Sequence, residues 1–355
     1  MSTHNETRKV IVAVLLWLLV FLQSPHSITA FVPWKQQQQY STKGSTSFLL
    51  GTITTTTTTT KDNIGEIRVT RPSGNSYRLA YRIVRPMSLS SKTAAPIVVL
   101  HGGPSVPSDY LYPLEKVIPY RSILYYDQIG CGRSDEPQLV SDYSIDYAIH
   151  DLETLITKLG IQRFHLYGQS FGGILAFEYM KQMAERGAPN QGGVLSAILS
   201  STPTSVALVE SEVNHLFSTL RASSKNSSSS SSLLKDNDDS TLMEQFRCNH
   251  QCRIPNQPQP LLDAYAHAGT VWRGTTAISN YQATSPKEGS TRMPSCMVLR
   301  GEHDFVTQTC IDGWKKCFNH NYIRTKVLDG CSHHGLLEHG ALYGSIVDMY
   351  FAEYD

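Results

Sequence analysis

The chain has 355 residues, a formal net charge of +1 and a hydrophobic fraction of 40%. That length suffices for one large α/β domain with insertions, and the near-neutral charge does not indicate a nucleic acid or an acidic surface as partner. The seven cysteines are scattered and odd in number, which excludes a small disulfide scaffold. Cys248, His250 and Cys252 lie close together, but no second pair of ligands follows at a suitable spacing, so no metal site is predicted.

The amino terminus is predicted to be a signal peptide over residues 1–30. Arg8 and Lys9 precede an unbroken apolar run over residues 10–22, which is shorter than the roughly 20 residues that a membrane span needs. Ile28-Thr29-Ala30 then provides the small residues of a cleavage site. The mature chain is therefore expected to lack a membrane span, with an uncleaved single-span anchor as the alternative.

Residues 31–61 have too little apolar content to build a core and are predicted to be disordered. They contain no Asp or Glu, but include lysines, a glutamine run at 36–39 and a threonine run at 54–60. This composition is typical of a transit peptide. Together with the signal peptide it resembles the bipartite presequences of algae with complex plastids, in which a phenylalanine follows the cleavage site as Phe31 does. Plastid targeting is favoured, with secretion and a Thr-rich stalk as the alternative.

After the presequence, predicted strands alternate with predicted helices. Residues 66–84 form a predicted hairpin around the turn at 72–75, and helices are predicted over 144–159 and 340–353. Apolar runs predict buried strands at 94–100, 122–126, 164–167, 194–199, 296–299 and 323–328. This order predicts a mostly parallel central sheet with helices on both faces. Ligands bind such sheets outside the carboxyl ends of the strands.

The stretch Arg163 to Gly173 is the strongest catalytic signal. Gly168, Ser170 and Gly172 give the spacing G-x-S-x-G between a predicted strand and a helix predicted over residues 174–183. This is the context of a nucleophile elbow, a sharp turn that exposes a serine and requires small neighbours. Ser170 is therefore the candidate nucleophile, and an ordinary serine in a glycine-rich turn is the alternative.

An acid and a histidine follow the serine in the order that this type of elbow requires. Asp304 comes just after the strand at 296–299, and His333 just after the strand at 323–328. Because both lie past the carboxyl ends of predicted strands, Ser170, Asp304 and His333 are predicted to form a catalytic triad. His334 is the rival base, and Glu302 is the fallback acid.

The alternation fails between residues 204 and 293. A helix is predicted over 206–220, followed by a serine run at 227–232 that reads as a solvated linker. We interpret 204–293 as an inserted cap domain, mainly helical, which shapes the substrate pocket and excludes water. The hydrolase core then comprises residues 62–203 and 294–355.

Three motifs identify the chain as resembling the α/β-hydrolase superfamily, and within it the proline iminopeptidase family of serine aminopeptidases. His101-Gly102-Gly103-Pro104 resembles that family's HGGPG loop, and residues 126–134 (YDQIGCGRS) resemble its YDQxGxGxS turn. The elbow and the histidine loop, with Glu338 five residues after His333, complete the match. The resemblance implies that Gly103 and Phe171 provide the N–H groups of an oxyanion hole.

The resemblance also implies release of an N-terminal residue, often proline, from short peptides, with no cofactor. We expect Gly102 and Trp272 to contact the substrate. Family members hold the substrate ammonium with a glutamate directly after the triad aspartate and another in the cap. Here the first position is Phe305, residues 272–278 contain no acid, and Ser105 replaces the last glycine of HGGPG. Two alternatives therefore remain: a carboxylic-ester or amide hydrolase on the same scaffold, and a hydrolase-fold ligand receptor.

Overall fold

The computed structural model describes residues 61–85, 94–188, 192–227, 238–319 and 323–355. The signal peptide, the transit-like segment up to residue 60 and the serine run from residue 228 lie outside the described residues. The expectations for targeting therefore stay predictions. Within the described part of the chain, no helix is both long and apolar enough to cross a membrane.

The centre of the fold is an eight-stranded sheet in the order β1-β2-β4-β3-β5-β6-β7-β8. Strands β1 and β2 form the predicted hairpin, β2 pairs antiparallel with β4, and all the other pairs are parallel. The strands are β1 Lys61–Thr70, β2 Ser76–Arg85, β3 Ile97–Leu100, β4 Ile123–Tyr126, β5 Phe164–Gln169, β6 Val194–Ser200, β7 Ser295–Gly301 and β8 Ile323–Leu328. This confirms the predicted α/β sheet, although β3 begins three residues later than the apolar run at 94–100.

The inner strands are buried on both faces, which explains their unbroken apolar sequences. Alternate side chains of a strand point to opposite faces. Val98 and Leu100 of β3 accordingly join one core cluster, and Ile97 and Val99 join the other. All four side chains are fully buried. Since burial of such a side chain stabilises the fold by about 1.5–3 kcal/mol, these short strands are held by packing on two sides.

Helices cover both faces of the sheet. The helices predicted over 144–159 and 340–353 agree with the structure within two residues at each end. The helix predicted over 174–183 is longer in the structure at both ends, since it runs over Phe171–Glu185. Ser144 caps α2, because its hydroxyl accepts a hydrogen bond from the Tyr147 N–H at 3.0 Å. The helices of the core are α1 Leu114–Val117, α2 Ile145–Lys158, α3 Phe171–Glu185, α8 Gln308–Ile311, α9 Trp314–Cys317, α10 Gly335–Glu338 and α11 Gly340–Ala352.

The segment between β6 and β7 is helical in its described parts. The first of its helices runs to residue 227, beyond the predicted end at 220. Phe217, Leu242 and Phe246 form a small core of their own, against which Phe305 of the hydrolase core packs. The helices of this cap are α4 Val206–Ser227, α5 Asp238–Phe246, a π-helical turn Arg247–Gln251, α6 Gln259–Ala266 and α7 Gly274–Ala277. The cap therefore contacts the hydrolase core beyond the carboxyl end of β7.

Candidate active site

Ser170 occupies a strained turn between β5 and α3. Its φ of 54° lies in the left-handed region, which L-residues other than glycine, asparagine and aspartate rarely adopt. A Cβ atom on Gly168 would overlap the Gly172 carbonyl oxygen, and one on Gly172 would overlap the Leu100 carbonyl oxygen. Only glycine fits these two positions, as the elbow spacing predicted. The turn is secured by a hydrogen bond from the Ser170 N–H to the Ser200 carbonyl oxygen at 2.8 Å.

Asp304 and His333 form a buried hydrogen-bonded pair. The distance from His333 Nδ1 to Asp304 Oδ1 is 2.8 Å, and the Val306 N–H donates to the same oxygen at 2.8 Å. Because the carboxylate accepts, Nδ1 of His333 carries the proton and Nε2 is left as the acceptor. Phe305 stacks on the imidazole with the ring centroids 4.1 Å apart. The Asp304 carboxylate thus orients the imidazole of His333, and the ring of Phe305 packs against the face of that imidazole.

The histidine loop is held by Glu338. This carboxylate accepts hydrogen bonds from the Ser332 N–H at 2.5 Å, from the Ser332 hydroxyl and from the Arg253 N–H at 2.9 Å. Ser332 directly precedes His333, so the carboxylate fixes the backbone that carries the imidazole. Glu338 was noted in the sequence only as part of a motif, and the structure gives it this positioning contact.

The rival residues have other surroundings. His334 is buried with its ring against Tyr110, and burial lowers the pKa of its imidazole well below the ordinary range. Its backbone N–H donates to the Gln251 carbonyl oxygen at 3.1 Å. The exposed carboxylate of Glu302 accepts from the Gly330 N–H at 2.8 Å, which lowers the pKa of that carboxyl. The structure therefore pairs His333 with Asp304, and neither His334 nor Glu302 takes part in that pair.

The predicted oxyanion donors lie beside Ser170. Phe171 is the first residue of α3, where an N–H group has no acceptor within its own helix. Gly103 has a φ of 120° and lines the same cavity as Ser170 and Phe171. The turn that carries Gly103 is braced by Gln128, whose N–H donates to His101 Nε2 at 2.9 Å and whose side-chain amide donates to the His101 carbonyl oxygen at 2.8 Å. The YDQIGCGRS motif therefore supports the HGGP loop.

Asp127 shapes the same motif. Its carboxylate accepts hydrogen bonds from the N–H groups of Ser108 and Arg133, each at 3.0 Å. The Arg133 guanidinium adds an ion pair to it at 3.0 Å. The carboxylate of Asp127 thus holds the shape of the YDQIGCGRS turn and ties it to Ser108.

A cavity of about 190 Å³ joins these groups. Its wall includes Ser170, His333 and the two oxyanion residues, and its remaining side chains are mainly apolar. Among the described residues that line it, no Asp or Glu is present, and Arg273 is the one Lys or Arg. The apolar part of the wall includes Ile174, Val206, Val209, Val213, Phe246, Ile278, Phe305 and Val306.

Gly102 and Trp272, the other two residues expected to contact the substrate, are not among the described residues that line this cavity, and their contact with a substrate stays a prediction. The Gly102 N–H donates to the Tyr110 hydroxyl at 2.7 Å, and Gly102 is buried. The Trp272 ring stacks on Tyr143 at 5.7 Å and contacts the edge of Phe171 at 5.5 Å. The Trp272 ring therefore packs against Phe171, the residue that follows Ser170.

Sequence reasoning also missed Arg273. Residues 272–278 contain no Asp or Glu, and their only charged side chain is the positively charged Arg273.

Across the ranges that the structure describes, no cluster of three or more His, Cys, Asp or Glu side chains is arranged to hold a metal ion.

A family model described as the alpha/beta hydrolase fold matches residues 95–340, which is more than half of the chain. The chain belongs to the α/β-hydrolase fold family. It is 33% identical over 189 residues to a proline iminopeptidase of Saccharolobus solfataricus, with 52% of this chain and 58% of the relative covered. A proline iminopeptidase of Lactobacillus acidophilus is 38% identical over 150 residues, with 41% and 47% covered. The chain thus spans about half the length of these curated relatives.

A longer match and a solved structure extend the comparison. The proline iminopeptidase of Thermoplasma volcanium is 28% identical over 271 residues, with 71% of this chain and 87% of the relative covered. The crystal structure of a proline iminopeptidase from Mycobacterium smegmatis superposes with a TM-score of 0.62 at 22% identity, covering 82% of this chain and 98% of that one. At that identity the structural likeness supports the fold alone.

Proposed function

We propose that this hydrolase cleaves an ester or amide through an acyl-enzyme formed on Ser170. The observation that carries the proposal is that the strained serine and the Asp304–His333 pair converge on one cavity. His333 Nε2 takes the Ser170 proton as the oxygen attacks the substrate carbonyl, and then gives that proton to the leaving group. Asp304 keeps the imidazole in the required tautomer and stabilises its charge. Water then repeats the attack on the acyl-enzyme with His333 as base.

The N–H groups of Gly103 and Phe171 are proposed to bind the oxyanion of each tetrahedral intermediate. Both belong to rigid elements, the braced HGGP loop and the first turn of α3, so they need no rearrangement during the reaction. Loss of one such donor costs about 10²–10³ in kcat in hydrolases of this chemistry.

The cavity wall favours an ester or amide without a free amine as substrate. An ammonium group needs a carboxylate partner when it leaves water, and an unpaired one costs several kcal/mol. No carboxylate lines the described part of the wall, and the ring of Phe305 covers the position beside the acid–base pair. A carboxylic-ester or amide hydrolase is therefore the function that the geometry supports best.

Aminopeptidase activity is the second candidate, and the similarity to proline iminopeptidases favours it. That activity needs an acid to reach the cavity. Asp236 and the side chain of Asp238, both in the cap, lie outside the described residues. Glu244 is engaged by the Arg247 guanidinium at 2.5 Å.

The test compares p-nitrophenyl pentanoate with prolyl and alanyl p-nitroanilides, each anilide with a free and with an acetylated amine. We expect turnover of the ester, no advantage from a free amine, and a loss of about 10⁴-fold or more in kcat in the Ser170→Ala variant. Ser218→Ala, an exposed serine on α4, is the matched control. A clear preference for free-amine anilides would instead establish the aminopeptidase. Turnover that survives Ser170→Ala, or failure of a fluorophosphonate probe to label Ser170, would refute the serine mechanism.

A further inference from the structure

Arg273 and Thr275 present unused hydrogen-bonding groups at the cavity wall. The Nε and Nη2 atoms of Arg273 and the hydroxyl oxygen of Thr275 are buried and have no hydrogen-bond partner among the described residues. Both residues line the cavity that contains Ser170 and His333. Buried donors without partners are rare in proteins, because each lost hydrogen bond to water is costly.

No acid of the described chain neutralises this guanidinium. Glu136 is near enough to favour the charged form, yet burial dominates and lowers the pKa of Arg273. The Oε1 atom of Glu136 accepts hydrogen bonds from the Thr270 N–H at 2.5 Å, the Thr270 hydroxyl at 2.9 Å and the Val271 N–H at 3.1 Å. Glu136 therefore fixes the backbone that leads to Arg273 and leaves the guanidinium without a partner.

The segment that carries Arg273 is also tied to the oxyanion loop. The hydroxyl of Ser105 donates to the Trp272 carbonyl oxygen, and the Gly274 N–H donates to the Pro104 carbonyl oxygen at 3.4 Å. Ser105 is the residue that departs from the HGGPG pattern. With anchors on both sides, the backbone of Arg273 is held in place before a ligand arrives, which reduces the entropy lost on binding.

We propose that Arg273 and Thr275 form a subsite for a carboxylate of the substrate. A planar guanidinium with several free donors matches the two oxygens of a carboxylate, and a hydroxyl beside it adds another donor. The preferred substrates are then esters or amides that carry a carboxylate apart from the scissile carbonyl. This inference rests on the proposed function. A free-amine substrate would require a negatively charged group on the cavity wall, whereas this subsite is positively charged.

The first test measures binding, without turnover. Dicarboxylates from succinate to adipate are titrated by calorimetry into the Ser170→Ala protein, with and without Arg273→Gln or Thr275→Val. We expect binding of at least one dicarboxylate, weakened roughly tenfold or more by Arg273→Gln and less by Thr275→Val. Arg186→Gln, which removes an exposed arginine away from the cavity, is the matched control and leaves binding unchanged. Absence of binding, or equal binding to the Arg273→Gln protein, overturns the proposal.

The second test measures selectivity in the active enzyme. The monoester of glutarate with p-nitrophenol is compared with p-nitrophenyl pentanoate, which has the same chain length and no carboxylate. Arg273→Gln is expected to lower the ratio of their kcat/KM values by roughly tenfold or more, and Arg186→Gln to leave the ratio unchanged. A ratio that Arg273→Gln does not alter would overturn the proposal while the hydrolase function stands. Arginine-dependent dicarboxylate binding without turnover of any ester or anilide would leave the anion subsite standing and refute the proposed hydrolytic function.

The melting temperature distinguishes a ligand-binding role of Arg273 from a purely structural one. If Arg273 held the cap together, Arg273→Gln would lower the melting temperature. Removal of an unpaired buried charge should instead leave the melting temperature of the unliganded protein equal or higher, as is common for groups retained for function. A lower melting temperature together with unchanged selectivity would refute the subsite.

Discussion

Replacement of Glu338 tests how far catalysis depends on the histidine loop. This carboxylate does not line the cavity, yet it accepts hydrogen bonds from both the N–H and the hydroxyl of Ser332, the residue before His333. Ser332 is almost completely buried. In Glu338→Ala these donors lose their acceptor, and the loop has no other described side chain to replace it.

The magnitude follows from the kind of bonds lost. A buried N–H left without an acceptor costs about 1–3 kcal/mol, and the lost bond to a charged group lies at the upper end of that range. The bond from the Arg253 N–H is exposed and contributes little, because water can replace it. We therefore expect Glu338→Ala to lose about 3 kcal/mol of stability. A shift of the imidazole by about 1 Å would lower kcat by about 10².

The assay is steady-state hydrolysis of p-nitrophenyl pentanoate, with urea unfolding as the measure of stability. We expect kcat to fall and KM to change little, because the loop orients the base and does not line the apolar wall. Glu338→Gln keeps one oxygen as acceptor and should recover part of kcat. Glu353→Ala is the matched control, since that exposed carboxylate pairs only with the exposed Arg324. A Glu338→Ala protein with the parental kcat would refute the positioning role.

Two further predictions concern charge. Phe305→Glu places a carboxylate beside His333 at the cavity wall. It should raise the preference for free-amine over acetylated anilides by roughly tenfold relative to Phe305→Gln. No change in that preference would show that the site cannot accept an ammonium. His165 lies on β5 and is buried against Phe351 and Asp355, and burial lowers the pKa of its imidazole to about 4 from the ordinary 6.5. Because the unfolded chain binds this proton more readily, the contribution of His165 to stability is complete above pH 6.5 and is lost as the pH falls towards 4, on the order of 3 kcal/mol. Urea unfolding of His165→Gln should show a shallower pH dependence over that window, and an identical slope would contradict the burial argument.

The core of the fold and the placement of Ser170, Asp304 and His333 at one edge of the sheet were predictable because their signals are local. Buried parallel strands need continuous apolar runs, and a serine at a sharp strand-to-helix turn needs glycines at fixed offsets. Asp304 and His333 were found by their order after Ser170, since parallel strands bring their carboxyl ends to one edge. The glycines at 168 and 172 were predicted for the same steric reason that the structure displays.

The wall of the cavity was not predictable, because it is built by long-range contacts. Arg273 and Thr275 lie at the start of α7, a helix of four residues that is too short for a periodicity to indicate which side chains face the cavity. The sequence also did not indicate where the ring of Trp272 packs. In the structure its ring is buried against Tyr143 and Phe171, an arrangement that depends on residues far apart in the chain.

The residues that the sequence predicted and those that it did not predict belong to two different parts of the site, the core loops and the cavity wall. Residues of the core loops set the reaction, and their geometry is constrained by backbone strain and by hydrogen bonds such as those of Gln128 to His101. Arg273 of the cap is the one Lys or Arg on the described cavity wall, and Phe305 packs against the imidazole of His333. A change from carboxylates to Phe305 and Arg273 can therefore invert the preferred substrate charge while Ser170 and His333 keep their positions. Substrate class in this chain should be inferred from the cavity wall, and reaction type from the elbow.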